Sequence, residues 1–453
     1  RRAVADLTET YGDAYPEGET WLARLDDAER DLPDAVRRAR SADPSARRRA
    51  TRFLSRVRTL ERHALLANPL LDFDSLLLVK RDLQGPKLGL PQNWQGNCAL
   101  PRTGYDDELV VVSPVKPAGT LTTLFRPPTP RFVGDVDLHP DGDRMLFSMV
   151  DKRSRWQIWE LAADGSGLRQ VTPGDDGDVD NYDACYLPDD QIVFASTRCF
   201  AGVPCVGGGS AVANLYRMDA GGRIRQLCFD QEHNWCPTVL NDGRVMYTRW
   251  EYTDTPHYFT RVLMEMNPDG TTQMERYGSN SFWPNSLFYA RPIPGHPTRL
   301  IAVVSGHHGD ARMGELVLLD SATGRRETTG VVQRIPGHGK PVEPVIRDQL
   351  VQGSWPKFLH PWPLSEKYFL VAARPHPGAS WGVYLADVFD NLTLVHERDG
   401  YALLEPVPLR ATTPAPVIPD KIQPDRTDAT VFLQDVYEGA GLAGVPRGSI
   451  KAL

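Results

Sequence analysis

The sequence contains no C-x-x-C and no C-x-x-C-H. Without two thiols and an adjacent axial histidine a chain cannot hold haem covalently in the usual way, and the same lack of spacing argues against a zinc ribbon. Long hydrophobic runs are missing as well. None approaches the ~20 residues of a membrane-spanning helix. Nor is there an excess of basic charge: 51 lysines and arginines stand against 58 aspartates and glutamates, a net charge of −7, which leaves no electrostatic footprint for nucleic acid. Beyond residue 67 helical patterning is absent, whereas 38 glycines and 38 prolines suit a turn-rich β protein.

Two motifs that would carry chemistry lack their surroundings. Gly378-Ala-Ser380-Trp-Gly382 has the letters of a nucleophile elbow, but VYLADVF follows it, which reads as a strand where that motif needs a helix. The glycines of 206–210 (VGGGS) lack the lysine and helix of a phosphate loop. The six cysteines are Cys98, Cys185, Cys199, Cys205, Cys228 and Cys236. Two pairs are loop-spaced, so Cys199–Cys205 and Cys228–Cys236 are candidate disulfides of an oxidising compartment; isolated buried thiols are the alternative.

What is present is a repeat. Residues 1–67 are read as a helical hairpin, 17–40 and 45–66, with Asp43-Pro44-Ser45 as break and cap. From Asp72 the pattern is β. Residues 233–258, HNWCPTVLNDGRVMYTRWEYTDTPHY, show the unit plainly: two apolar runs around Asn241-Asp242-Gly243, a hairpin signal because glycine accepts a positive φ. Similar units run through 135–172, 183–228, 235–276 and, more loosely, 285–327 and 356–397. A unit of four short strands cannot bury its own face, so such units stack around an axis as propeller blades. The expectation is an all-β, six-bladed β-propeller over 68–410, with seven blades as the alternative, an N-terminal α-helical hairpin, and a Pro-rich exit segment over 411–453. The strands of 74–125, joined by 401–409, are expected to supply the remaining blade. Residues 431–436 read as a strand beginning a further domain, and the chain reads as a piece of a longer protein.

Several stretches resemble a known family. The repeat GDRMLFSMVDKRSRWQIWELAADGSGLRQVT is similar to TolB-like propeller repeats. LLLVKR (76–81), STRCFAGVPC (196–205), HNWCPTVLNDGRVMYTRWEYTDTPH, SNSFWPNSLFYARPIPGHP and GSWPKFLHPWPLSEKYFLVAA resemble the family related to the middle domain of hydrazine synthase alpha subunit. That resemblance covers residues 68–450. It implies a six-bladed propeller, export to the periplasm or beyond, and c-type haem outside the propeller. As this chain lacks C-x-x-C-H, haem c would belong to sequence not included here or to a partner.

The connections between blades are long and the opposite turns are terse, so ligand and partner contacts are expected on the long-loop face. The candidates there are His233, Trp235, Arg249, Trp250, Glu251, Asp254, His257, His307, His308, Asp310, Arg312 and His360. Imidazoles from several blades could meet at the axis, with His257, His307 and His308 as ligands of a divalent metal. Arg198, Arg249 and Arg312 could form a pocket for an anion or pair with Asp183, Glu251 and Asp310. Asp176, Asp178 and Asp180 alternate as in a calcium loop, without its glycine and terminal glutamate. Trp235, Trp250 and Trp283 are candidate glycan-stacking residues. The leading expectation is an exported binding and assembly scaffold for a partner or haem-bearing domain. The alternatives are a metal- or haem-dependent redox enzyme and a glycan-binding propeller.

Overall fold

The structure, a computed structural model, describes residues 1–116, 119–252, 260–428 and 430–452. The chain divides into two compact units, Arg1–Ile418 and Pro419–Leu453.

In the first unit the helical segment holds three helices rather than two: α1 (Arg2–Tyr11), α2 (Gly18–Ala39) and α3 (Pro44–Leu66). Asp43 caps α3 as expected, accepting from the Ser45 and Ala46 amides. The unforeseen α1 is held by burial of Ala3, Val4 and Leu7.

The strands pair into β-sheets of one plan. β1 (Leu76–Asp82), β2 (Glu108–Ser113) and β3 (Thr120–Phe125) form a sheet with the last strand of the chain, β24 (Tyr401–Pro408), in the order β24-β1-β2-β3. This is the joining of 74–125 with 401–409 that the repeats implied. Next come β4 (Gly134–Leu138), β5 (Arg144–Val150), β6 (Trp156–Ala162) and β7 (Arg169–Gln170), then β8 (Asn181–Tyr186), β9 (Ile192–Ser196), β10 (Asn214–Met218) and β11 (Ile224–Gln226). β12 (Asn234–Val239), β13 (Val245–Glu251), β14 (Thr260–Met266) and β15 (Met274–Tyr277) share one eight-stranded sheet with β16 (Ser286–Pro292), β17 (Arg299–Ser305), β18 (Glu315–Asp320) and β19 (Val331–Ile335). The last sheet is β20 (Lys357–Pro363), β21 (Tyr368–Arg374), β22 (Gly382–Asp387) and β23 (Leu392–His396).

The arrangement is an all-β propeller with an N-terminal helical segment. Counted by pairing among the described residues, however, it has four separate four-stranded blades and one eight-stranded sheet, not six or seven separate blades. The reason is a single parallel pairing, Arg261 with Ser286, that links β14 to β16.

The helices bury their apolar stripe against the closing sheet and the β20–β23 sheet, where Leu7, Trp21 and Leu65 meet Leu78, Leu370 and Leu385. Arg62 donates to the carbonyls of Leu394 and Val395 on β23. That occupies backbone acceptors which an edge strand would otherwise leave open.

A buried ion pair ties β1 to the loop that follows it. Arg81 Nε donates to Asp107 Oδ2 at 2.9 Å, both side chains essentially inaccessible, and Arg81 Nη2 donates to the Val133 carbonyl at 2.6 Å. Replacing Asp107 by Leu alone strands the guanidinium and is expected to cost about 3–5 kcal/mol. The double replacement Arg81→Met, Asp107→Leu is expected to recover most of that, measured by urea denaturation.

In the second unit Val431, Phe432 and Leu433 are exposed and form no strand. The strand expected at 431–436 is therefore absent: its apolar residues find no partner strand and no face to bury. Among the described residues no helix is long and apolar enough to cross a membrane.

Candidate functional site

The innermost strands β24, β4, β8, β12, β16 and β20 each carry a β-bulge at the same place. The register with the neighbouring strand slips around Glu405, Asp135, Asp183, Cys236, Tyr289 and His360. Each of these residues has a positive φ, between 47° and 55°. Left-handed backbone is uncommon for non-glycine residues and rarer still for a bulky one such as Tyr or His. A bulge re-aims its side chain. Here all six side chains line an axial cavity of about 70 Å³ and also a smaller space of about 20 Å³ behind it, so they form the waist between the two.

The ring is chemically divided. Glu405, Asp135 and Asp183 lie on consecutive inner strands; Cys236, Tyr289 and His360 make up the rest. Burial, with Asp135 nearby, pushes the Asp183 and Glu405 carboxyls up to about 7, and burial also raises that of Asp135. Burial together with the Arg81 and Arg291 charges lowers the His360 imidazole to about 3. The carboxylates are held by backbone amides: Val136 N–H donates to Glu405 Oε2 and Cys236 N–H to Asp183 Oδ2, both at 2.7 Å.

One end of the axis is plugged. Residues 83–107, the connection from β1 to β2, cross the long-loop face. Asn97 Nδ2 donates to Asp135 Oδ2 at 2.6 Å. Asn93 donates to Ser305 Oγ and the Gly306 carbonyl, and its own oxygen accepts from the Arg312 amide. Gly89, at φ 64°, allows the plug to pass against Arg81, whose guanidinium a Cβ there would strike. At the other end the cavity is lined by Asp137, Thr238, Arg291 and Trp362. From there it continues into clefts of about 350 and 570 Å³ beside residues 410–415. The axial cavity thus opens toward the terse turns, not the long-loop face where ligand contacts were expected. His360, expected among the long loops, belongs to the ring.

On the long-loop face the expected residues meet, but as a packed core. His233 stacks on Trp235 at 4.7 Å, and Arg312 lies over Trp235 and Phe288 at 4.8 and 4.2 Å. Arg261 lies over Trp250 at 4.5 Å and contacts His307 Nδ1. Burial and the Arg312 and Arg261 charges lower the His233 imidazole to about 3, so it stays neutral and accepts from the Ala213 amide. Trp235, Trp250 and Trp283 are 1–2% exposed. Their ring faces are covered, which removes the glycan-stacking role read from the sequence.

Other expectations are corrected in the same way. Arg198 pairs with Asp176, Arg249 with Asp230, and Asp310 with Lys357, rather than in the sets expected; Glu251 accepts from Ser279 Oγ. The calcium reading fails because its three carboxylates diverge: Asp176 goes to Arg198, Asp178 to Arg155, and buried Asp180 to Arg102 and the Trp156 amide. All six cysteines are free thiols, so neither expected disulfide forms. Cys228 is buried in contact with Met266 whereas Cys236 lines the axis; Cys199 donates to the Val212 carbonyl whereas Cys205 is exposed. Of the expected metal ligands, His307 and His308 come together with a third group, Asp348. Asp254 and His257 lie outside the described residues.

Asp135, Tyr289 and Glu405 were not singled out from the sequence, and Asp183 was read only as a partner for an arginine, whereas here its carboxyl accepts from the Cys236 amide. Aligning the inner strands as GDVD, YDAC, WCPT, FYAR, LHPW and LEPV puts the ring in one column, followed by Val, Ala or Pro. The column shows itself once the strands are aligned on their bulges, whose positions the residues alone do not mark.

No protein-family profile matches the sequence, and no curated protein matches it. Among solved structures, the Kuenenia stuttgartiensis hydrazine synthase matches over 76% of this chain and 48% of its own, at 16% identity and a TM-score of 0.58. The chain therefore spans about half the length of that one. A nidogen/laminin complex chain matches over 73% of this chain and 96% of its own at 12% identity (TM-score 0.41), and the TolB of Acinetobacter baumannii over 60% and 68% at 15% identity (TM-score 0.32). Of the six-bladed propeller that the sequence resemblance implied, the β-propeller is present and is shared with the matched part of that hydrazine synthase.

Proposed function

We propose that this chain is an exported propeller module whose long-loop face holds a folded protein domain, of the same polypeptide or of a partner. The observation that carries the reading is where large apolar side chains remain exposed. Phe200, Val206, Phe229, Val345, Ile346 and Trp355 all lie in connections on that face, with Phe200 and Phe229 73% and 79% exposed. Exposed apolar residues occur elsewhere too, but the three most exposed large ones among the described residues of the first unit, Phe229, Phe200 and Ile346, lie here, and such a concentration favours a protein contact over a solvated surface. The occupant is taken to be a domain because the hydrazine synthase chain of like fold has about half its length outside the match. Any covalent haem c belongs with that domain, since this chain lacks the motif to attach one. In this reading the eight-stranded sheet works as two blades, β12–β15 and β16–β19, giving six around the axis.

Photo-crosslinking in the native host tests the reading. A benzophenone side chain at Phe200, Phe229 or Ile346 is expected to capture one and the same polypeptide, or a fixed site elsewhere in the same chain. The same probe at Leu168, exposed on the terse-turn face, is expected to capture neither. Equal labelling from Leu168, or none from the three, overturns it.

A further inference from the structure

We propose that His307, His308 and Asp348 form a binding site for a zinc-like divalent transition metal at the rim of the long-loop face. One donor atom from each of the three lies within 4.8 Å of the other two. His308 Nδ1 and Asp348 Oδ1 are 2.9 Å apart. Two donors about 2.1 Å from a tetrahedral zinc ion lie about 3.4 Å apart, so the hydrogen-bonded pair needs to open by only about half an ångström to share a metal. The rings of His307 and His308 meet edge to face at 4.1 Å. Neighbours in a strand would point to opposite sides; these two share a side because 306–313 is a loop between β17 and β18.

The third ligand arrives from a different connection, and backbone contacts fix it there. His307 N–H donates to the Asp348 carbonyl at 2.8 Å, and Asn285 Nδ2 donates to the carbonyl of Arg347. His307 thus ties the 336–356 connection to the 306–313 loop, and Asn285 ties it to the start of β16, both without help from the Asp348 carboxylate. Asp348 and His308 are each about half exposed, 52% and 50%, so a metal can enter from solvent. Two imidazoles and one carboxylate leave at least one coordination position open, the pattern of sites that bind a further ligand.

The donor set selects the metal. Imidazole suits Zn²⁺, Cu²⁺ and Ni²⁺; Mg²⁺ and Ca²⁺ prefer oxygen. Arg261 sharpens that choice. Its guanidinium contacts His307 Nδ1 and opposes any cation nearby, so an ion with weak affinity for nitrogen has little means of displacing it. This site does not depend on the docking reading above, and its test is separate.

The experiment is calorimetric titration of the chelator-stripped full chain with Zn²⁺, paired with the absorption spectrum of the Co²⁺ form. Binding of one ion per chain in the micromolar range or tighter is expected, with visible d–d bands for Co²⁺. His308→Ala and Asp348→Asn are each expected to weaken Zn²⁺ at least tenfold and abolish the Co²⁺ bands. His338→Ala, a surface histidine on the Val388 carbonyl, is expected to change neither. Matching thermal melts of the variants establish that the fold is intact. Absence of stoichiometric Zn²⁺ binding, or unchanged affinity in both ligand variants, overturns the site.

Discussion

A chain ending at Gly400 is expected to lose the cooperative unfolding transition that a chain ending at Ile418 retains. The difference is β24. Its Ala402, Leu403, Leu404 and Val407 are 0–2% exposed, and it pairs with β1 along nearly the whole length of both strands. At about 1.5–3 kcal/mol for each large buried apolar side chain, with Ala402 adding less, the strand supplies several kcal/mol. A domain's net stability is only about 5–15 kcal/mol. More than burial is at stake, because β24 is the inner strand of a sheet whose other three strands come from the start of the propeller. Without it the ring has two open edges, and Glu405 is gone from the axis. Urea denaturation followed by tryptophan fluorescence measures the outcome. A transition of unchanged midpoint and slope in the shorter chain would show that β24 does not close the propeller.

The second large effect is electrostatic. Asp183→Asn is expected to be more stable than the parent at pH 8, with a smaller advantage at pH 5. The folded chain holds the Asp183 carboxyl at about 7 through burial and the nearby Asp135, although Arg312 and Arg291 pull it down. In the unfolded chain it titrates near 4. Between these values the folded state keeps a proton that the unfolded state has lost, so stability falls as pH rises and stays low above the folded value. Asparagine cannot ionise, yet its oxygen can still accept from the Cys236 amide. The advantage of the variant is expected to grow by about 2–4 kcal/mol from pH 5 to pH 8. A gap for Asp183→Asn that does not change with pH would mean that the ring carboxylates ionise freely.

The two experiments address the same feature from different sides. Six positive-φ bulges are costly, roughly 1–2 kcal/mol for each left-handed residue. Such strain persists only where surrounding structure holds it, and it gathers at functional positions. The sheets hold it here, and the result is three acids beside a thiol, a phenol and an imidazole around one small cavity.

Much of this was legible in the residues. Alternating apolar runs, Pro-Asp-Gly and Asn-Asp-Gly turns and the length of the unit determined that blades form, because period-two patterning and positive-φ turns are local properties of the chain. The junction of 74–125 with 401–409 was legible for the same reason. His307 and His308 stood out as neighbours, but adjacent residues on a strand point to opposite faces, so their meeting depended on 306–313 being a loop, which the residues alone left open. What remained hidden depends on distance through space. Nothing local says that 83–107 folds over the axis, that Arg312 lies on Trp235 instead of pairing with Asp310, or that Asp348 arrives beside His308. Nothing local distinguishes a tryptophan offered to a sugar from one buried under an arginine. The chain's own pattern determined the blades and their turns; which residues face the axis together, and which end of it is open, was decided only when the sheets closed on one another and the bulges turned six side chains inward.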